Sequence, residues 1–262
     1  MCCFSARTPT GILARLLAPR VHVSATNIFT RMMAPGVQAL AYGMNLASAR
    51  EVAMILPLPV VPGSGDDAVR FVNLEHHPRM FEELAAMFAP IQALAKGGVS
   101  RSAGPRLVVH QIGAFIASYV PTRADFVRID PQFRLPDVLF DAVPHYADYG
   151  FAVFQLAPGK VTVHPMAMTF PTRAEGRLFF PTVHVHDGRY HATARFDHAL
   201  YYQHPRAARP PDVPQQRTFG SDEVSWATLG TDYEALCETG RPLLRRQLRA
   251  RLPNQDTWID AT

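Results

Sequence analysis

Asn27-Ile28-Phe29-Thr30-Arg31-Met32-Met33 runs into Ala34-Pro35-Gly36 and then into Val37-Gln38-Ala39-Leu40-Ala41-Tyr42. Two strand-like runs separated by a Pro-Gly turn signal read as paired strands. A third run, Glu51 to Val61, is nearly continuous in apolar residues, as a strand buried on both faces would be. Its prolines, Pro57 and Pro59, belong at its end or at a bulge. From Val21 to Val61 the order is therefore strand, turn, strand, strand.

Working outward, Gly63-Ser64-Gly65-Asp66-Asp67 closes the third strand and opens a helical pattern from Asp67 to Phe88. Met80, Phe81, Leu84, Ala85 and Phe88 share one face of it, and Pro78 divides it. Ala95 to Pro105 reads as a loop and Leu107 to Val120 as a strand. Leu135 to Tyr146 reads as a short helix around Pro144. Four more strands follow: Tyr149 to Leu156, Val161 to Phe170, Arg177 to His186 and Arg189 to Gln203. Ala157-Pro158-Gly159-Lys160 and Asp187-Gly188 supply hairpin turns.

Strands in succession with helices grouped between them predict an α+β domain over residues 1–203. Its sheet is expected to be largely antiparallel or mixed, with one main helical segment. A Pro-rich linker is expected over 204–218. Residues 219–262 are expected to form a helical C-terminal tail, with Asp232 to Leu252 helical and Leu236, Leu243, Leu244 and Leu248 on its apolar side.

Composition narrows the class. The 262 residues are 48% apolar and 18% charged, which excludes global disorder. The 23 prolines against 16 glycines point to stiff connections and sheet edges rather than a helical bundle. The net charge of +4 comes almost wholly from arginine, since Lys96 and Lys160 are the only lysines. Those arginines are not interleaved with aromatics or mounted on a nucleic-acid module, so no nucleic-acid partner is expected. The acid-free stretch before Glu51 resembles a transit peptide in charge. Its apolar patch, Gly11 to Leu17, is too short and too charged for a secretory leader or a membrane span. Three cysteines, two of them adjacent, make no disulfide framework, and a reducing cytoplasm is the expected compartment.

The chain also resembles a group of uncharacterised bacterial proteins that begin Met-Cys-x-Phe-Ser. The residues that carry the resemblance are Met1 to Ser5, Val23-Ser24 with Thr26, Ile28-Phe29 with Arg31, and Met54-Ile55-Leu56-Pro57-Leu58-Pro59. Asp148 to Val153, Phe179-Phe180-Pro181-Thr182-Val183-His184 and Phe196-Asp197-His198 complete the set. More distantly it is similar to a secreted bacterial family known as DUF2330. That family's strand motifs fall here on Ile55–Pro59, Gly113–Tyr119, Gly150–Leu156 and Pro165–Pro171, although its leader has no counterpart in this sequence. The resemblance spans about two-thirds of the chain, implies the order of elements, and implies no activity.

Two chemistries are legible. Cys2, if exposed by removal of Met1, owns a thiol and an α-amine, the kit of an N-terminal nucleophile acting on an amide of a small molecule or peptide. Asn45 would donate to the oxyanion and Arg31 would orient a carboxylate substrate. The plain alternative is that Cys2 and Cys3 pack as small hydrophobes.

The second chemistry is a histidine cluster. His184 and His186 are two apart on an expected strand and so share a face. A tight Asp187-Gly188 turn would set His191 opposite His184, with His198 further along the same arm and His164 on the preceding strand. Such a set fits zinc or another divalent transition metal, with Asp197 as a further ligand or orienting an imidazole, and with Cys2 or Cys3 joining if the first strand runs alongside. Histidines on an exposed sheet face that bind nothing are the plain alternative. A structural or partner-binding role with neither chemistry is the third reading.

Overall fold

In the computed structural model, residues 2–5, 21–88, 115–186, 188–204, 225–228 and 230–260 are described. The apolar patch Gly11–Leu17, the loop Ala95–Pro105, the first part of the Leu107–Val120 strand and nearly all of the expected linker lie outside these residues.

The fold is mostly β, which corrects the expected α+β class. Sixteen strands run through the described residues, against two short α-helices and three 3₁₀ turns. In chain order they are β1 (Cys2–Ser5), β2 (His22–Ala34), β3 (Val37–Ser48), β4 (Val52–Leu58), β5 (Arg70–Val72), β6 (Ile116–Val120), β7 (Gly150–Leu156) and β8 (Gly159–Pro171). Then come β9 (Arg177–Phe180), β10 (His184–Val185), β11 (Thr193–Arg195), β12 (His198–Gln203), β13 (Ser225–Thr228), β14 (Pro242–Leu248), β15 (Arg251–Pro253) and β16 (Thr257–Asp260). The helices are α1 (Met80–Ala86) and α2 (Asp137–Ala142).

A five-stranded sheet in the order β10-β1-β4-β7-β6 faces a seven-stranded sheet in the order β13-β14-β12-β2-β3-β8-β5. Most neighbours are antiparallel, while β1 runs parallel to β10 and β12 parallel to β2. The core between the sheets alternates along each strand, as a period of two requires. Met54, Leu56 and Phe154 come from one sheet, and Ile28, Leu40, Tyr42, Met168, Leu200 and Tyr202 from the other.

Both outer faces are covered as well. Ile55, Val153 and Phe151 lie under Phe126, Leu139, Phe140 and Tyr146 from α2 and the 3₁₀ turns. Phe29, Ala41, Ala167 and Leu243 lie under Met80, Phe81 and Leu84 of α1 and under Tyr233, Leu236 and Cys237. Because each sheet is buried on both faces, β4 is buried at every position and its sequence shows no alternation.

The Pro35-Gly36 turn forms where expected. Ala34 pairs with Val37, and Gly36 supplies the positive φ of 71°. The helical expectations fail for physical reasons. Of Asp67–Phe88, Arg70–Val72 forms the edge strand against β8, and only Met80–Ala86 beyond Pro78 is α-helical. In the C-terminal segment Gly240 adopts φ 79° and Pro242 follows, which ends any helix there. Leu243 then faces α1 while Leu244 packs against the inter-sheet core. Neighbouring leucines on opposite faces are strand behaviour. β14 accordingly sits between β12 and β13, and β15 and β16 pair with β11 and β9.

Candidate functional site

The two sequence candidates meet at one edge of the sandwich. In the parallel pair β1/β10, Cys2 is the register partner of His184 and Cys3 of Val185. Across the sandwich, β12 begins at His198, which is 1% exposed. The Nε2 atoms of His184 and His198 lie 3.1 Å apart. The His186 ring stands 5.0 Å from that of His184, centroid to centroid, and Phe196 packs on both His184 and His198.

Backbone contacts hold this arrangement. Asn254, 1% exposed, accepts the His184 N–H at 2.7 Å and donates to the carbonyls of His184 at 2.9 Å and His191 at 2.8 Å. Asp197 Oδ2 accepts the N–H of Ala25 at 2.7 Å, where a bulge in β2 puts Ala25 at φ 51°. Asp197 Oδ1 stands 4.0 Å from His198 Nδ1. Asn254 carries no sequence signal beyond its place after Pro253, and its role depends on β15 lying beside β11.

Both imidazoles are held neutral. Burial pushes His198 well below the ordinary histidine range, and His184 and His186 add to that. Burial likewise lowers His184, with His186 a second cause.

The remaining sequence candidates lie elsewhere. His164 stacks on Phe115 with ring centroids 4.5 Å apart, and His191 is exposed in the connection to β11. β10 and β11 do not form the expected hairpin, since β10 pairs with β1 and β11 with β15. Asn45 pairs with Ser24, near the bulged end of β2.

Arg31 is engaged at the opposite end of that strand. Its guanidinium donates to the carbonyls of Leu236 at 2.7 Å and Ala235 at 3.1 Å, and pairs with Glu238 at 3.2 Å. Among the described residues no three His, Cys, Asp or Glu side chains are gathered as a metal cluster.

Beside Asp197 opens a groove of about 510 Å³ lined by Arg195, Phe196, Asp197, Arg249, Ala250 and Arg251. Arg195 and Arg251 are direct cross-strand partners, which brings like charges together. No helix of the described residues is long and apolar enough to cross a membrane.

No protein-family model matches the chain, and no curated protein matches it. Solved structures do. Baculovirus P35 aligns with a TM-score of 0.50 at 12% identity, over 92% of this chain and 97% of that one. A chain of the caspase-8/P35 complex aligns at 0.46 and 10% identity, over 91% and 96%. A mutated baculovirus P35 after caspase cleavage aligns at 0.44 and 12% identity, over 91% and 99%. The alignment with baculovirus P35 at a TM-score of 0.50 and 12% identity establishes a likeness of fold.

Proposed function

We propose that this chain is a protein-binding module that engages a caspase-fold cysteine protease. One observation carries the reading: its fold follows that of baculovirus P35 over nearly the whole of both chains. P35 is a protein known in complex with caspase-8 and in a caspase-cleaved form. A fold can host several functions, so this step is an analogy from architecture.

The test is to incubate the purified chain with a panel of caspase-fold proteases, caspase-8 among them and others that cleave after arginine. Progress curves, size-exclusion profiles and intact masses would be recorded. The expected result is stoichiometric loss of activity of at least one protease, with a co-eluting complex. Absence of binding and of inhibition across the panel would overturn the proposal. So would steady turnover of an amide substrate by the chain alone, abolished in Cys2→Ala, because that result would restore the hydrolase reading.

A further inference from the structure

We propose that the groove beside β11 and β15 is a docking site for an acidic peptide segment of another protein. The proposal does not depend on the protease reading, and its test uses no protease.

β11 and β15 form a two-stranded ribbon apart from both large sheets. Ala194 and Leu252 pack against the inter-sheet core, so their neighbours along each strand face outward. That outer face carries Thr193, Arg195 and Arg251, all exposed. Arg249 and Ala250, in the turn from β14, complete the groove of about 510 Å³ over Phe196 and Asp197.

The charge here is unmatched. The Phe196 N–H donates to the Ala250 carbonyl at 2.8 Å, so Arg195 and Arg251 form the adjoining non-hydrogen-bonded pair. Such pairs bring side chains closest, and like charges directly opposite are destabilising. Arg251 is steadied over the face by Thr193, whose Oγ1 accepts from its Nε at 3.1 Å. Elsewhere arginines meet acids, as Arg123 does Asp137, Arg128 does Asp66 and Arg173 does Asp148. Among the described residues no ion pair engages Arg195, Arg249 or Arg251. Three guanidiniums and the Asp197 carboxylate leave the groove with a net charge of +2.

The geometry favours a peptide over a bare phosphate. Asp197 is half exposed, its Oδ2 takes the Ala25 N–H, and its Oδ1 stands 4.0 Å from His198, beyond hydrogen-bond reach. A peptide offers that oxygen a backbone N–H and offers the guanidiniums its carboxylates, whereas a phosphate group brings chiefly acceptors. The main-chain groups of Arg195 also point away from β15, to an edge that no described strand occupies. An extended chain with acidic side chains matches both the edge and the charge.

The experiment follows the fluorescence anisotropy of a fluorescein-labelled peptide of alternating aspartate and glutamate, titrated with the full chain. Saturation at one equivalent is expected, with no response from a lysine peptide of the same length. Raising the salt from about 0.05 M to about 0.3 M should weaken binding several-fold. Arg195→Glu/Arg251→Glu keeps like charges opposite each other, so its circular dichroism should match the native chain while affinity falls about ten-fold or more. Arg195→Gln alone should also weaken binding, and its unfolding midpoint should hold or rise because the repulsion is gone. Failure of the folded native chain to bind saturably refutes the site, and undiminished binding by the folded double variant places it elsewhere. Displacement of the peptide by pyrophosphate at an equal or lower concentration makes the groove a general anion site and removes the peptide. A dimer of the free chain that excludes the peptide and dissociates in the double variant assigns the groove to a second copy instead.

Discussion

His198 is buried with its imidazole against that of His184, and both are held neutral, so the folded chain cannot take up protons there that the unfolded chain would bind. Their folded pKa values lie below the unfolded ones. The associated stability is therefore complete above the ordinary imidazole range, about 6.5, and is lost as the pH falls below it. Among the described residues, His186 and Asp197 face the pair, with Asp197 Oδ1 4.0 Å from His198 Nδ1. Urea unfolding of the chain should show falling stability from about pH 7.5 to about pH 5. Each imidazole contributes at most about 1.4 kcal/mol per pH unit. A His184→Asn/His198→Asn double variant should flatten that slope, and an unchanged slope would show that the protons go elsewhere. Gln38 shows the opposite strategy for a buried polar group. It is fully buried, donates to Thr30 Oγ1 and the Phe179 carbonyl, and accepts the Phe179 N–H. Full satisfaction makes it a tie between the seven-stranded sheet and β9.

Elements in this fold are kept in place by features that propensity does not favour. Tyr233, Glu234 and Ala235 take consecutive φ values of 48°, 57° and 63°. Such left-handed residues cost roughly 1–2 kcal/mol each. The turn persists because Tyr233, Leu236 and Cys237 are buried against the sheet, Arg31 binds two of its carbonyls, and Tyr233 donates to Glu83 at 2.8 Å. This explains why Arg31, a natural candidate for holding a substrate carboxylate, is committed to structure instead. Ala235 is exposed, so Ala235→Gly removes strain without removing contacts. It should raise the unfolding free energy by up to about 1 kcal/mol, and a loss of stability would show that the left-handed turn is not strained. Helix α1 lies so close to β3 that a Cβ on Gly43 would come within 2.6 Å of the Phe81 ring. Gly43→Ala should therefore destabilise by about 1–3 kcal/mol in chemical denaturation, and a neutral result would mean that α1 moves freely over the sheet.

At the scale of the molecule, two sheets face each other and a further layer covers the outside of each, so apolar residues are needed on both faces of the central strands. That arrangement decides which parts of the sequence could be read. The β2–β3 hairpin was legible because Pro35-Gly36 is a local turn and needs no distant partner. β4 and β7 were legible because strands buried on both faces are apolar along their whole length. The C-terminal segment was not, because leucines spaced for a helix also serve a strand whose two faces are both covered. The functional edge divides in the same way. The sequence by itself determined that Cys2 and a group of histidines were available, and it determined the hairpin that opens the sandwich. Only the tertiary structure decided that β1 enters beside β10 rather than β10 folding back on β11. It thereby set Cys2 next to His184, moved His191 out to solvent, and brought His198 across from the other sheet. The physical reason is that strand pairing is non-local: backbone hydrogen bonds are satisfied equally by near or distant partners, and the burial of both sheet faces selects among them.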